Sequence, residues 1–193
     1  MSVFVRPALV LFAMLSVMTG FLYPLAVTGL AQGLFENRAG GSLIRRGDVI
    51  LGSRLIGKSF TDPKYFWGRP SATGPMPYNG ASSAGSNQGP LNPALLEAVR
   101  VRVAALRAAD PGNPAPVPVD LVTASASGLD PHLSIAAATY QVARVARVRS
   151  LPVEQVRQLV DEHTERSVPG FLGPPHVDVL ALNLALDNLA GAR

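Results

Sequence analysis

Residues 7–35 read PALVLFAMLSVMTGFLYPLAVTGLAQGLF, 29 positions without one charged side chain. At about 1.5 Å per residue, an α-helix of that length exceeds the roughly 30 Å hydrocarbon core of a bilayer. The run predicts a transmembrane helix over residues 7–33 and makes the remainder of the chain a domain tethered to a membrane. Small residues at Ala13, Ser16, Thr19, Gly20, Ala26 and Thr28 would let neighbouring helices approach closely. Pro24 has no amide hydrogen to give the helix, so it predicts a kink unless a neighbour compensates. A cleaved secretory leader is the alternative, with Arg6 as its positive start and Gly29-Leu30-Ala31 before a cut at Gln32. The apolar stretch is longer than the roughly 7–15 residues of a leader core, which favours an uncleaved anchor.

The rest of the composition fits a tethered domain. Charged residues make up 16% of the chain, below the roughly 25% of soluble domains, and the deficit lies in this one run. The 193 residues leave room for about one domain beside the helix. The absence of cysteine excludes disulfides and thiolate chemistry, and is compatible with either side of a membrane. The net charge of +4 is carried almost wholly by arginine, dispersed among thirteen acids, which argues against a nucleic-acid partner. Counting basic residues near the helix ends sets Arg6 against Arg38, Arg45 and Arg46, and places the C-terminal side in the cytoplasm. That count is weak for a long domain, which translocates largely regardless of such charges.

Residues 34–193 read as one mixed domain of α+β, or irregular α/β, class. Short strands are expected around 42–44, 48–51 and 55–56, separated by Gly47, Gly52 and Gly57. Thr61 to Pro90 shows no periodicity, yet Tyr65, Phe66, Trp67 and Tyr78 mark it as ordered. A helix starts at Asn92, with Pro93 in its first position and Leu96, Val99, Val103 and Leu106 on one face. Val119 to Thr123 is expected as a strand. Further helices are expected from the cap Ser134 to about Arg149, over Val153 to His163, and from the cap Asp178 with Val179, Leu182, Leu186 and Leu189 together.

Catalytic signatures are missing from this pattern. Gly80 and Gly85 have the spacing of a phosphate loop, but Ser86 stands where the lysine is needed, and the Gly-x-Ser-x-Gly elbow fails as well. The Gly/Ser/Asn run is an ordered turn feeding the helix at Asn92. His132, His163 and His176 lie in unrelated contexts without HExxH, so no metal is expected. Asp161, Glu162 and Glu165 read as a solvated helix face. Gln141, Arg144 and Arg147 share a helical face, and spacing alone makes it a solvated polar edge rather than an anion or partner site.

Six stretches nevertheless carry a resemblance in order along the chain: RPALVLFAMLSVMTGFLYPLAVTGLAQ, GSRLIGKSFTDPKYFWGRPSATG, YNGASSAGSNQGPLNPALLE, VPVDLVTASASGLDPHLSIAAATYQVARVA, LVDEHTE and VDVLALNLALDNL. Together they resemble the small C subunit of the Kdp potassium-transporting P-type ATPases. The chain departs from that pattern at Ala143, at Pro174 and at Met76-Pro77, which reads as an insertion before Tyr78-Asn79.

The resemblance implies a single-pass protein of the bacterial inner membrane, with the N-terminus cytoplasmic and the C-terminal domain extracytoplasmic. It implies three protein partners: a channel-like potassium-translocating subunit, an ATP-hydrolysing P-type subunit and a small single-helix subunit, all within membrane lipid. It further implies a non-catalytic accessory role in assembly, as a catalytic chaperone that raises the ATP affinity of the hydrolysing subunit. ATP and potassium would then act through the complex rather than as cofactors of this chain. On this basis Tyr65, Phe66, Trp67, Arg69, Tyr78, Asn79, Ser86 and Asn87 are candidates for partner binding, and Gln141 and Arg144 for a link to nucleotide. The alternative from another class is a signal-cleaved periplasmic binding protein or hydrolase.

Overall fold

The computed structural model describes residues 2–166 and 173–191. It divides into two compact units, one ending at Leu43 and one beginning at Ile44.

The first unit is a helical run made of α1 (Ser2–Val17), a π-helical turn (Met18–Leu22) and α2 (Tyr23–Leu34), followed by the single turn α3 (Glu36–Ala39). Val3–Leu34 is a helix of 32 residues with an 18-residue window of mean hydropathy 2.0, long and apolar enough to cross a membrane. Pro24 sits in the first turn of α2. Its ring crowds the carbonyl one turn back and its nitrogen donates nothing. The turn before it widens in response, so that the Tyr23 amide donates to the Met18 carbonyl five residues back.

In the second unit, β1 (Leu43–Arg46), which starts at the boundary, pairs with β2 (Val49–Ser53). Gly47 turns the chain between them at φ 59°, a conformation glycine adopts without a Cβ penalty. After a long irregular stretch come α4 (Pro93–Ala109), a 3-10 turn (Val119–Leu121), β3 (His132–Ser134), α5 (Ile135–Arg149), α6 (Val153–Glu162), β4 (Thr164–Glu165), β5 (His176–Asp178) and α7 (Val179–Gly191). The three-stranded sheet is antiparallel in the order β3-β5-β4, with Leu133 opposite Val177 and Thr164 opposite Val177.

Two strands run straight into helices, and the caps expected from sequence make both junctions. Ser134 Oγ accepts the Ala137 amide at 3.1 Å and Asp178 Oδ1 accepts the Ala181 amide at 2.9 Å, each satisfying a donor that the first turn leaves open. Asn92 does the same for α4 through the Ala94 amide at 2.9 Å. The core lies between α5, α6, α7 and the inner face of the sheet, where Leu133, Val145, Val156, Val160, Val177, Leu182 and Leu186 are buried. Each such side chain contributes about 1.5–3 kcal/mol on leaving water.

Two local expectations are corrected. Val119 to Thr123 is not a strand: Leu121 and Val122 are buried side by side rather than alternately, and Thr123 Oγ1 closes a tight turn onto the Val119 carbonyl at 2.8 Å. Leu96 does not join the buried face of α4, since it is 51% exposed, while Val99 and Val103 are partly buried against the core and Leu106 is inside it.

Candidate partner-binding surface

The irregular stretch between Thr61 and Asn92 is held down in two ways. Its first part, residues 63–67, is gripped by polar side chains from inside the domain. Asn183 of α7 treats Phe66 as a strand would: the Phe66 amide donates to Asn183 Oδ1 at 2.9 Å and Asn183 Nδ2 donates back to the Phe66 carbonyl at 3.0 Å. Gln141 of α5 does the same for Trp67, at 2.9 Å and 3.1 Å, and spends its other amide hydrogen on the Ala137 carbonyl. Buried backbone groups need such partners, and among the described residues no strand pairs with this segment to supply them.

Arg144 completes the grip from below. Its guanidinium donates to Gln141 Oε1 at 2.6 Å and to the Pro63 carbonyl, and lies 4.7 Å from the centre of the Trp67 ring. At 2% exposure it is among the largest buried side chains, and burial pulls its pKa down to about 10. Arg149 holds the neighbouring residues, donating to the Lys64 carbonyl at 2.7 Å, to Leu186 at 3.3 Å and to Asp187 at 2.8 Å, with the Tyr65 ring stacked 4.9 Å away. Tyr65 in turn donates its hydroxyl to Asp187 Oδ2 at 3.0 Å.

Gln141 and Arg144 are therefore no solvated edge: both side chains are buried beneath residues 63–67. Gln141 bonds Trp67, Ala137 and Arg144, and Arg144 bonds Gln141 and the Pro63 carbonyl. Arg147, the third member of that expected face, is the exposed one and pairs with buried Asp110 at 2.8 Å. Phe66 also changes role, because at 0% exposure it belongs to the core and presents no side chain to a partner.

The second part of the stretch is held through backbone. Arg69 bridges Asp130 at 3.2 Å and the Thr123 carbonyl at 3.3 Å. Tyr78 donates its hydroxyl to the Arg69 carbonyl at 2.5 Å, and burial first, then the Asp130 charge, pushes its pKa up to about 12. The Asn79 amide donates to Thr73 Oγ1 at 3.0 Å and Asn79 Nδ2 to the Gly74 carbonyl at 3.1 Å. Beyond them the Ala84 amide and the Ser83 hydroxyl both donate to the Ser127 carbonyl at 3.0 Å. A Cβ on Gly85 would stand 2.8 Å from the Ala126 carbonyl oxygen, and one on Gly128 would stand 2.6 Å from that of Ala84. The small residues of this run allow two backbones to touch, which explains its composition without a phosphate.

Among the candidates, Tyr65, Trp67, Arg69, Tyr78 and Asn79 are half-buried, while Ser86 and Asn87 are exposed. The sequence offered no direct pointer to Arg149, Asp187 or Asp130. The one usable signal was Asn183 itself, a polar residue among Val179, Leu182 and Leu186 on the apolar face of α7.

The histidines are not all in unrelated places. Strand pairing brings His132 and His176 into ring contact at 4.4 Å, with Asp130 at 3.4 Å from the first and Glu165 at 3.9 Å from the second. The Asp130 carboxylate raises the pKa of His132, and hydrogen bonding from His132 draws that of Asp130 down to about 2. Among the described residues, no group of three His, Asp or Glu side chains is placed to hold a metal ion.

Residues 5–188 match the model of the family described as "KdpC: K+-transporting ATPase, c chain". The chain belongs to the KdpC family. It is 66% identical over 189 residues to the potassium-transporting ATPase KdpC subunit of Variovorax paradoxus, covering 98% of both chains. To the subunit of the same name in Polaromonas naphthalenivorans it is 69% identical over 184 residues, 95% of this chain and 94% of that one. The KdpC subunit of the more distant Herpetosiphon aurantiacus is 60% identical over 189 residues, 98% of this chain and 98% of that one. These KdpC matches run through the apolar helix and the clamped stretch alike.

Proposed function

We propose that this chain is the non-catalytic accessory subunit of an ATP-driven, high-affinity potassium uptake pump, required for assembly and acting as a catalytic chaperone that raises the ATP affinity of the hydrolysing subunit. The observation that carries the proposal is the KdpC family match over residues 5–188, which takes in the membrane-length helix together with the domain. In this reading the helix crosses the bacterial inner membrane once, the N-terminus is cytoplasmic and the domain is extracytoplasmic. The partners are the channel-like potassium-translocating subunit, the P-type ATPase subunit and the small single-helix subunit.

A domain on the outer side does not touch cytoplasmic ATP, and the interior positions of Gln141 and Arg144 fit that separation. Its effect on nucleotide affinity is then a coupling free energy, exerted by favouring one conformation of the partner subunits. The surface for this is the outer side of the Thr61–Asn92 stretch, where Trp67, Arg69, Ser86 and Asn87 meet the potassium-translocating subunit.

The test is intact-mass and partner analysis of the tagged chain from detergent-solubilised membranes of potassium-starved cells, followed by ATP titration of the purified complex with and without it. Retention of residues 1–31, co-purification of the other subunits and a higher KM for ATP without this chain are expected. A truncated, soluble chain without partners would overturn the proposal and point to a released periplasmic protein. An unchanged KM would remove the chaperone role alone.

A further inference from the structure

The segment that succeeds the apolar helix concentrates two properties seldom found together on a solvated surface. Residues 36–58 hold five basic side chains against two acidic ones, three of the net four positive charges of the whole chain. Within it Arg45, Arg46 and Arg54 are exposed, and none has a carboxylate partner among the described residues; Arg46 reaches only Asn188, at 3.2 Å. Beside them Val49 is 62% exposed, Ile50 52% and Leu55 61%. The β1–β2 hairpin and the turn after it thus expose both cations and large apolar side chains.

Connectivity limits what those surroundings are. Leu43, the first residue of β1, lies nine Cα-to-Cα steps along the chain from Leu34, the last of α2. An extended chain of that length spans about 30 Å at most, and the helical turn α3 shortens it. On the reading that Val3–Leu34 spans a bilayer, the hairpin lies within that distance of its surface whatever the domain's orientation.

We propose that this hairpin docks on the membrane surface, with Arg45, Arg46 and Arg54 against anionic phospholipid headgroups and Val49, Ile50 and Leu55 entering the interface. Anionic lipid supplies charges of the required sign in a plane the tether keeps close, and the interface takes up apolar side chains that water does not favour. Each basic residue near an anionic surface is worth about 1 kcal/mol, or roughly fivefold in occupancy. The three together bias the hairpin toward the lipid by about a hundredfold.

The chain has no cysteine, so single reporters are clean. Full-length protein carrying an environment-sensitive dye at Val49→Cys is placed in nanodiscs of phosphatidylcholine with and without phosphatidylglycerol. Leu15→Cys reports separately on the membrane helix, and Ala115→Cys on the exposed connector serves as the solvent reference. The expected result is a blue-shifted Val49 signal, quenched by headgroup spin labels only in the anionic discs. It is reversed by salt or by Arg45→Gln/Arg46→Gln/Arg54→Gln, with the Leu15 label lipid-buried throughout. A lipid-buried Leu15 label with a water-exposed Val49 label in both discs overturns this proposal and leaves the membrane helix standing. Shielding of Val49 that appears only when the other subunits are added overturns it in favour of a protein interface. Exposure of both labels would mean the helix does not span, and this inference falls with it.

Discussion

Residues 63–67 and residues 80–87 are both irregular, and both belong to one long connection, yet they are fixed by opposite means. The first is rich in side chains and is held by side chains: two amides and two arginines of α5 and α7 take the places that a neighbouring strand would fill. The second has almost no side chains, and its order comes from that lack, which lets the Ala84 amide reach Ser127 and the backbone at Gly85 approach Ala126. The difference teaches that a loop without periodicity can be rigid either because buried groups imitate a backbone or because nothing keeps two backbones apart. The two designs fail under different substitutions.

The sharpest break is expected at Phe66→Ala, which empties a fully buried ring site and costs about 4 kcal/mol. Urea unfolding of the full chain in detergent, followed by Trp67 fluorescence, measures it. Next comes Asn183→Leu, the same branching and heavy-atom count but with the Phe66 amide and carbonyl both left unpaired, at about 3 kcal/mol. A loss below about 1 kcal/mol there would mean the amide imitation is dispensable, since one ordinary hydrogen bond is worth that much. Against the second segment the damaging change is an atom added to the backbone it touches. Gly128→Ala meets the Ala84 carbonyl oxygen and is strained at φ 66°, for about 2 kcal/mol. Gly89→Ala meets nothing within 4 Å and is the control.

A smaller effect depends on pH. Raising the pKa of His132 gives stability that is complete below its ordinary value of 6.5 and lost as pH rises through the raised one. Lowering that of Asp130 from 3.8 to about 2 gives stability that is complete above 3.8 and lost as pH falls toward 2. Both operate together between about pH 4 and 6.5. Melting temperature is therefore expected to peak there and decline toward pH 8, and His132→Gln should flatten that decline. The smallest effect is Ser86→Ala, exposed and without a hydrogen-bond partner among the described residues, within about 0.5 kcal/mol. A loss of complex assembly from so neutral a change would place a partner at Ser86.

Much of the frame is legible in the sequence. Asn92, Ser134 and Asp178 announce three helices because a short polar side chain before an apolar pattern has one local use, and the membrane helix is announced by length alone. The clamp was legible only as ingredients. Gln141 and Arg144 look like a polar helix face, and whether such a face meets water depends on a segment 74 positions earlier lying across it. The meeting of His132 with His176 likewise depends on the register of two strands far apart in sequence. Periodicity reports what a helix offers; it carries no information about which irregular chain accepts the offer.

The small loop over residues 74–77 closes on itself. Its neck is tied by the Tyr78 amide to Ser71 Oγ at 2.9 Å and by the Asn79 amide to Thr73 Oγ1 at 3.0 Å, while its four residues are exposed. Lengthening a loop whose ends are already pinned costs only about 0.6 kcal/mol per doubling. Met76-Pro77 lengthens an exposed loop whose neck is pinned beneath it, so a short peptide grafted there would leave the fold of the domain intact and mark whether this side of it is free or covered.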